Sequence, residues 1–241
     1  GPAGCMMFAR DFFLGATVMS QQDLLDLSSL FSQLIDFRSR FTATHSSGVA
    51  AVAEAMADKI HLDNGQGKML RIAGLLHDVG KLAIPREILE KRKPLSHGDF
   101  IFIRRHPYYS RRILSSVPEF DSISEWSAFH HERLDGTGYP FHVSGDKIPV
   151  EGRLLSVVDT FTALTEMRPY RASLNSRSTL RILESMAHSK KLDKDMVMVI
   201  GQHLDELNEI RKDAQSKAFD AHTRFVEQLR NSSGMPGAES G

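Results

Sequence analysis

The sequence predicts an all-α fold, on three observations. Apolar residues recur at i, i+3, i+4 and i+7 along most of the chain, the period of an amphipathic helix. No segment sustains the alternation of apolar and polar residues that a half-buried strand requires. Polar or Gly/Pro-rich turns, such as Asp63 to Gly67 and Asp135 to Pro149, part the periodic stretches.

The elements follow in order. Residues 1 to 20 are weakly patterned, with Phe8, Phe12, Phe13 and Leu14 apolar, and read as the end of a connector helix. Leu24, Leu27, Leu30, Phe31 and Leu34 set a helix that continues toward Phe37. The next helix carries Phe41, His45, Val49, Val52, Ala53, Met56 and Ile60, with His45 on the apolar face. After the Asp63 to Gly67 turn, Met69, Ile72, Ala73 and Leu76 form a stripe that runs straight into His77 and Asp78, and Gly80 with Pro85 closes the element. A short helix is expected over Ile84 to Lys93, with Pro85 suited to its first turn. Phe100, Ile101 and Ile103 lead to His106, and Ser110, Ile113, Leu114 and Val117 resume helical spacing. Ile123, Trp126 and Phe129 carry a helix into His130 and His131. Beyond the loop, Leu154, Leu155, Val158, Phe161 and Leu164 make a helix on which Asp159 shares the apolar face. Leu180, Leu183 and Met186 mark another, and Met196, Val199, Ile200, Leu204 and Leu207 begin a last long one. Asn231 to Gly241 is rich in Gly and Ser and is expected to be disordered.

Composition narrows the function classes. The 241 residues suffice for one large domain with an appendage, and the formal net charge of zero implies no global attraction to nucleic acid or to a membrane. The lone Cys5 excludes a disulfide framework and a zinc–thiolate site, and fits a reducing compartment. No apolar run reaches the roughly 20 residues needed to span a bilayer. The opening GPAG reads as an expression scar, and the chain as a piece of a longer protein.

Seven residues stand at helix faces or ends: His45, His77, Asp78, His106, His130, His131 and Asp159. Each alone has an ordinary explanation, as a satisfied core histidine, a solvated pair or a carboxylate in water. A titratable pair appended to the buried stripe of an apolar helix is costly without partners, and a metal ion is an economical one. Imidazole and carboxylate donors without thiolate suit iron, manganese, nickel, cobalt or zinc. Seven ligands exceed what one ion takes from protein while keeping open positions, so two ions are expected, with Asp78 bridging. His45, His77 and Asp159 would complete one ion, and His106, His130 and His131 the other. Such a pair activates a bridging water and neutralises charge on a phosphoryl group. Lys81 adds a cation for the developing charge or the leaving oxygen.

His77-Asp78 with Gly80-Lys81, followed by HHERLDGTGYP at His130 to Pro140, closely resembles the HD-GYP family of cyclic dinucleotide phosphodiesterases. The matching region runs from about His45 to Arg171. The resemblance implies an HD-domain helical bundle with an HD-GYP extension. The wider HD superfamily's His, His-Asp pair and distal Asp are matched by His45, His77, Asp78 and Asp159. The family adds His106, His130 and His131 as the set for the second metal. It also implies that Lys81 is catalytic beside Asp78, that Gly138, Tyr139 and Pro140 form the signature loop, and that Met167 to Arg171 lies beside substrate. Arg168 and Arg171 then meet phosphate or a guanine edge, and Tyr139 and Tyr170 stack on a base. Gly136 and Gly138 permit unusual backbone geometry and close ligand approach. Glu132 and Asp135 orient ligands or loop without binding metal directly.

Two departures matter. Members with three metals have a Glu where this chain has Phe41, and the family often has an Asp where this chain has Thr162. Both argue for a binuclear centre. The expected organisation is an N-terminal helical element or connector over 1–40, a catalytic domain over 41–213, and a C-terminal helical extension with a disordered tail over 214–241. The expected activity is hydrolysis of cyclic di-GMP or 3′,3′-cyclic GMP-AMP to a linear dinucleotide by a metal-bridged hydroxide, with iron or manganese the favoured ions. The alternative is a catalytically silent cyclic dinucleotide receptor. A bacterial cytoplasmic location, a homodimer, an upstream sensor or regulatory domain, and no binding of DNA or RNA duplex complete the expectations.

Overall fold

The computed structural model describes residues 20–37, 44–91, 93–166 and 173–233, and these are helical with no strand among them. Eleven α-helices are described: α1 (Gln21–Phe37), α2 (His45–Lys59), α3 (Asn64–Leu76), α4 (Arg86–Leu89), α5 (His97–Ile103), α6 (His106–Leu114), α7 (Asp121–Phe129), α8 (Val150–Thr165), α9 (Ser176–His188), α10 (Lys194–Gln202) and α11 (Leu204–Ser233). Three short 3₁₀ turns join them, at Val79–Ala83, Pro118–Phe120 and Gly145–Lys147.

Helix α3 starts where the sequence writes a capping box. The Asp63 carboxylate accepts from the Gln66 backbone N–H at 2.8 Å, and the Gln66 side chain accepts from the Asp63 N–H at 3.3 Å. Its inward stripe, Leu70, Ile72 and Ala73, packs on Val49, Val52, Ala53 and Met56 of α2, all fully buried or nearly so. The small side chains of Ala50, Ala53 and Ala57 let the two helices approach closely. Leu154, Leu155, Val158 and Phe161 of α8 close the core from the other side. Each such side chain contributes about 1.5–3 kcal/mol by leaving water. This α2–α3–α8 core is the frame that fixes the ends of the helices where the candidate ligands sit.

Several expectations need correction. The helix expected over Ile84 to Lys93 is only Arg86–Leu89, and Pro94 disfavours helical geometry in the residue before it. The last long helix is two, α10 and α11, broken at His203, whose backbone leaves helical geometry at φ −123° and ψ 23°. Helix α11 continues to Ser233, so the tail expected to be disordered from Asn231 begins as helix. Helix α1 forms as its periodicity predicts, yet Leu27, Leu30, Phe31 and Leu34 are exposed. Its inward face is instead Ser28, Ser32 and Ile35, since the small serines allow close approach. The connector helix read over residues 1 to 20 falls, but for its last residue, outside the described residues. So do Phe41 and Met167 to Arg171, including Arg168 and Tyr170. No helix among the described residues is long and apolar enough to cross a membrane.

Candidate metal centre

The histidines are gathered by helix ends. His45 opens α2, His77 caps the C-terminus of α3, His106 opens α6, and His130 caps α7 with His131 next. Asp159 projects from the third turn of α8. Their side chains form two adjoining clusters, His45–His77–Asp78 and His106–His130–His131, with donor atoms within 4.8 Å of one another in each. Both carboxylates span the two clusters. Asp78 lies 3.4 Å from His77 Nε2 and 3.1 Å from His106 Nε2. Asp159 lies 3.1 Å from His45 Nε2 and 3.8 Å from His131 Nδ1.

The same local device orients three of the rings. Nδ1 of His77, His106 and His130 donates to the carbonyl three residues earlier, Gly74, Ile103 and Ser127, at 2.8, 2.7 and 2.5 Å. A carbonyl oxygen only accepts, so Nδ1 carries the proton and a neutral ring turns the Nε2 lone pair inward. His106 Nε2 then faces His130 Nε2 at 3.3 Å, lone pair to lone pair, with Asp78 Oδ1 3.1 Å away. That buried Oδ1 has no hydrogen-bond donor. A knot of acceptors facing acceptors is repulsive unless a cation lies among them. The donor set therefore fits a divalent metal.

Electrostatics divides the two clusters. Burial opposes charge on His45, but Glu166 and Asp159 outweigh it and push its pKa up to about 10. Burial likewise opposes charge on His77, and Asp78 overrides it upward. For His130, burial and the neighbouring His77 and His106 act together, pushing the pKa down to about 3. Burial and His130 hold His131 well below the usual range. Burial would raise Asp78, yet the Lys81 ammonium and His77 keep it well below the carboxylate range. Lys81 donates to Asp78 Oδ2 from the 3₁₀ turn. Gly80 makes that turn possible, because a Cβ there would lie 2.0 Å from the His106 carbonyl oxygen and 2.5 Å from Ser110 N.

Three members of the centre are partly exposed. Lys81, His131 and Asp159 retain 20%, 21% and 14% side-chain exposure, whereas the other ligand candidates are all but inaccessible. Tyr139 stacks on His131 with centroids 4.8 Å apart, and the Arg104 guanidinium lies 5.1 Å above the Tyr139 ring. Burial, with the charges of Asp159 and Asp78, raises the Tyr139 pKa, so the phenol stays protonated. Glu132 pins the loop that carries Tyr139, its carboxylate accepting the backbone N–H groups of Phe141, His142 and Val143 at 2.7, 3.1 and 3.1 Å. Gly138 allows the loop to fold back, since a Cβ would meet Glu132 Cα at 2.4 Å, while Gly136 turns at φ +77°. Asp135 accepts from Thr137 N at 2.9 Å and so closes the turn.

The structure thus brings together all seven predicted ligand candidates, Lys81 and the signature loop. It adds Ser110 and Glu166, which the sequence reading missed, and gives Arg104 a place beside Tyr139. Ser110 accepts from Gly80 N at 2.9 Å and donates to the His77 carbonyl at 2.7 Å. Glu166 accepts from His45 Nδ1 at 3.1 Å, and Arg104 covers Tyr139. Arg104 and Arg105 form a local basic run able to read phosphate, and nothing in the sequence marks Ser110 or Glu166.

A helical bundle that gathers a His, a His-Asp pair and a distal Asp at helix ends defines an HD-type domain, here with an added histidine triad. A family model described as the HD domain matches residues 29–196, well over half of the chain, which belongs to that family. The His130 to Pro140 stretch places it among the HD-GYP members. A 3′3′-cGAMP-specific phosphodiesterase of Vibrio cholerae is 35% identical over 179 residues, covering 74% of this chain and 42% of the relative. A cyclic di-GMP phosphodiesterase of Pseudomonas aeruginosa is 36% identical over 142 residues, covering 58% and 34%. The chain spans less than half the length of these curated relatives. Among solved structures, an HDG"Y"P protein from Bdellovibrio bacteriovorus shares the fold with a TM-score of 0.58 at 16% identity, covering 77% of this chain and 65% of that one. The HD domain of an L. monocytogenes phosphodiesterase does so with a TM-score of 0.51 at 16% identity, covering 80% and 98%.

Proposed function

We propose that this chain hydrolyses one 3′,5′-phosphodiester bond of a cyclic dinucleotide, cyclic di-GMP or 3′,3′-cyclic GMP-AMP, to give the linear dinucleotide. The observation that carries the reading is the set of inward Nε2 lone pairs of His77, His106 and His130 about Asp78, with Asp159 between His45 and His131, a donor set that suits two cations side by side. His45, His77 and Asp78, with Asp159 beside His45, would hold one ion, and His106, His130 and His131, with Asp78 beside His106, the other; iron or manganese suits the donor set. Bound there, a pair of divalent ions lowers the pKa of a water and offsets charge on the phosphoryl group.

The chain's own residues supply the rest. Lys81, partly exposed beside Asp78, places an ammonium where negative charge grows on the phosphoryl oxygens or on the leaving oxygen. As the water oxygen joins phosphorus, the ester P–O bond breaks and the leaving oxygen takes up a proton. Tyr139, braced by His131, carries the Arg104 guanidinium over its ring, and Arg104 offers a fork of donors for phosphate or a guanine edge. Arg168, Tyr170 and Arg171 are proposed substrate contacts on the strength of the family resemblance.

The relatives' names support both substrates. The test is to incubate manganese-loaded and iron-loaded protein with each cyclic dinucleotide, follow products by chromatography, and count metal in the same sample. Turnover to a linear dinucleotide with about two ions per chain is expected. Full metal content with neither substrate cleaved refutes the enzyme in favour of a receptor.

A further inference from the structure

His45 is oriented differently from His77, His106 and His130: its Nδ1 bonds to a side chain and not to a backbone carbonyl. Glu166, at the end of α8 and only 8% exposed, lies 121 residues away in sequence, and its Oε2 sits 3.1 Å from His45 Nδ1. The other nitrogen, Nε2, points at Asp159 Oδ1 at 3.1 Å. With Glu166 accepting the Nδ1 proton, Nε2 is left as the ligand atom, as the carbonyls ensure for His77, His106 and His130.

Glu166 is itself held from α11. Gln215 Nε2 donates to the same Oε2 at 3.1 Å, and Arg211 donates in turn to the Gln215 carbonyl oxygen. Arg211 is 5% exposed, and it donates to Asn208 Oδ1 from Nε at 3.1 Å and from Nη2 at 2.9 Å. A buried arginine with most of its donors committed is a fixed strut, not a solvated surface charge. The contacts run in one line from α11 to a candidate metal ligand: Arg211, Gln215, Glu166, His45.

We propose that Glu166 is a positioning residue for His45, and that α11 sets its position through Gln215 and Arg211. Outer partners of metal-bound histidines typically change metal affinity 10- to 100-fold. The C-terminal helix therefore controls occupancy of one of the two proposed metal positions and leaves the other, where His106 and His130 are oriented by backbone carbonyls. This rests on the reading of His45 as a ligand.

The test titrates metal-free protein with manganese(II), reading free ion by electron paramagnetic resonance, for the parent and for His45→Ala, Glu166→Leu, Glu166→Gln and Gln215→Leu. Glu166→Leu is expected to weaken one manganese site by about 10- to 100-fold and spare the other. Glu166→Gln, whose amide oxygen still accepts the Nδ1 proton, should stay within about threefold of the parent. Gln215→Leu should weaken the same single site several-fold, and it decides the matter if Glu166→Leu fails to fold. A purely structural role would lower thermal stability in Glu166→Leu with both affinities intact, and that result overturns the proposal. So does a Gln215→Leu variant that binds both ions as the parent does. If His45→Ala keeps both sites unchanged, the ligand reading itself has failed, and the loss is not of the positioning chain alone.

Discussion

Replacing Glu132 tests how the signature loop is held. Its carboxylate, 2% exposed, accepts three consecutive backbone N–H groups, two on Oε1 and one on Oε2. In Glu132→Gln the amide oxygen can keep the Phe141 and His142 bonds, but the amide NH₂ then confronts the Val143 N–H, donor against donor. One bond to a charged acceptor is lost, worth about 1.5–3 kcal/mol, and a neutral acceptor weakens the other two. A loss of about 2–3 kcal/mol corresponds to a fall in melting temperature of roughly 5–10 °C for a domain of this size. Because Tyr139 sits on the pinned loop and stacks on His131, substrate binding should weaken along with stability. The assay is a thermal melt of the metal-loaded variant beside steady-state kinetics on a cyclic dinucleotide. A melt within about 1–2 °C of the parent would refute the argument, since the part-buried Val143 N–H cannot lose its acceptor, and the other two their charged one, at no cost.

Other expectations follow from the same geometry. Arg104→Ala removes a guanidinium poised over Tyr139 without touching the ligand set, so KM should rise about 10-fold or more while kcat and metal content hold; a KM unchanged within about twofold rejects the contact. Gly80→Ala drives a methyl group into the backbone of α6, at 2.0 Å from the His106 carbonyl, and should cost on the order of 3 kcal/mol in a denaturant melt and loosen the ion held by His106. Manganese binding should tighten as pH rises from about 6 to 9, approaching tenfold per unit, because the ion must displace the proton that Glu166 and Asp159 hold on His45 up to about 10. The stability of the metal-free protein carries both signs. His45, raised from 6.5, stabilises fully below that value and loses its contribution as pH climbs through about 10, whereas His130, lowered to about 3, stabilises above 6.5 and loses its contribution as pH falls toward 3. Melts of chelated protein across pH should therefore peak near neutrality, and a monotonic trend would contradict the assignment.

Much of this is legible in the sequence because the ligands sit at helix boundaries. Periodicity locates helices, and a titratable residue at the end of an apolar stripe is visible without any tertiary information. His77, His106 and His130 are of this kind, and their orienting carbonyls lie three residues earlier, inside the same local pattern. Glu166 and Ser110 are not. Their partners are 121 and 33 residues distant, and at short range each reads as a polar residue near a helix end or on a helix face. The outward face of α1 misleads for a related reason: periodicity gives a helix and its stripe, but neighbouring helices decide which face is buried. At α1 two serines take the inward position over four large apolar side chains.

That difference bears on how the centre is built. Three rings are fixed by backbone, so no side-chain substitution can remove the carbonyl acceptors at Gly74, Ile103 and Ser127; only displacement of their helices can. His45 is fixed by a side chain that another helix holds. The proposed binuclear centre would therefore combine a half that is rigid as soon as α3, α6 and α7 fold with a half completed only when α8 and α11 are docked. Metal affinity should follow that division, with one ion retained under mild destabilisation of α11 and the other released. Graded urea with manganese counted at each step would show it as two release transitions, the first coinciding with loss of α11 contacts. A single concerted release of both ions at the global unfolding midpoint would mean that the two halves are one cooperative unit, and that the line from Arg211 to His45 stabilises the fold without tuning the metal.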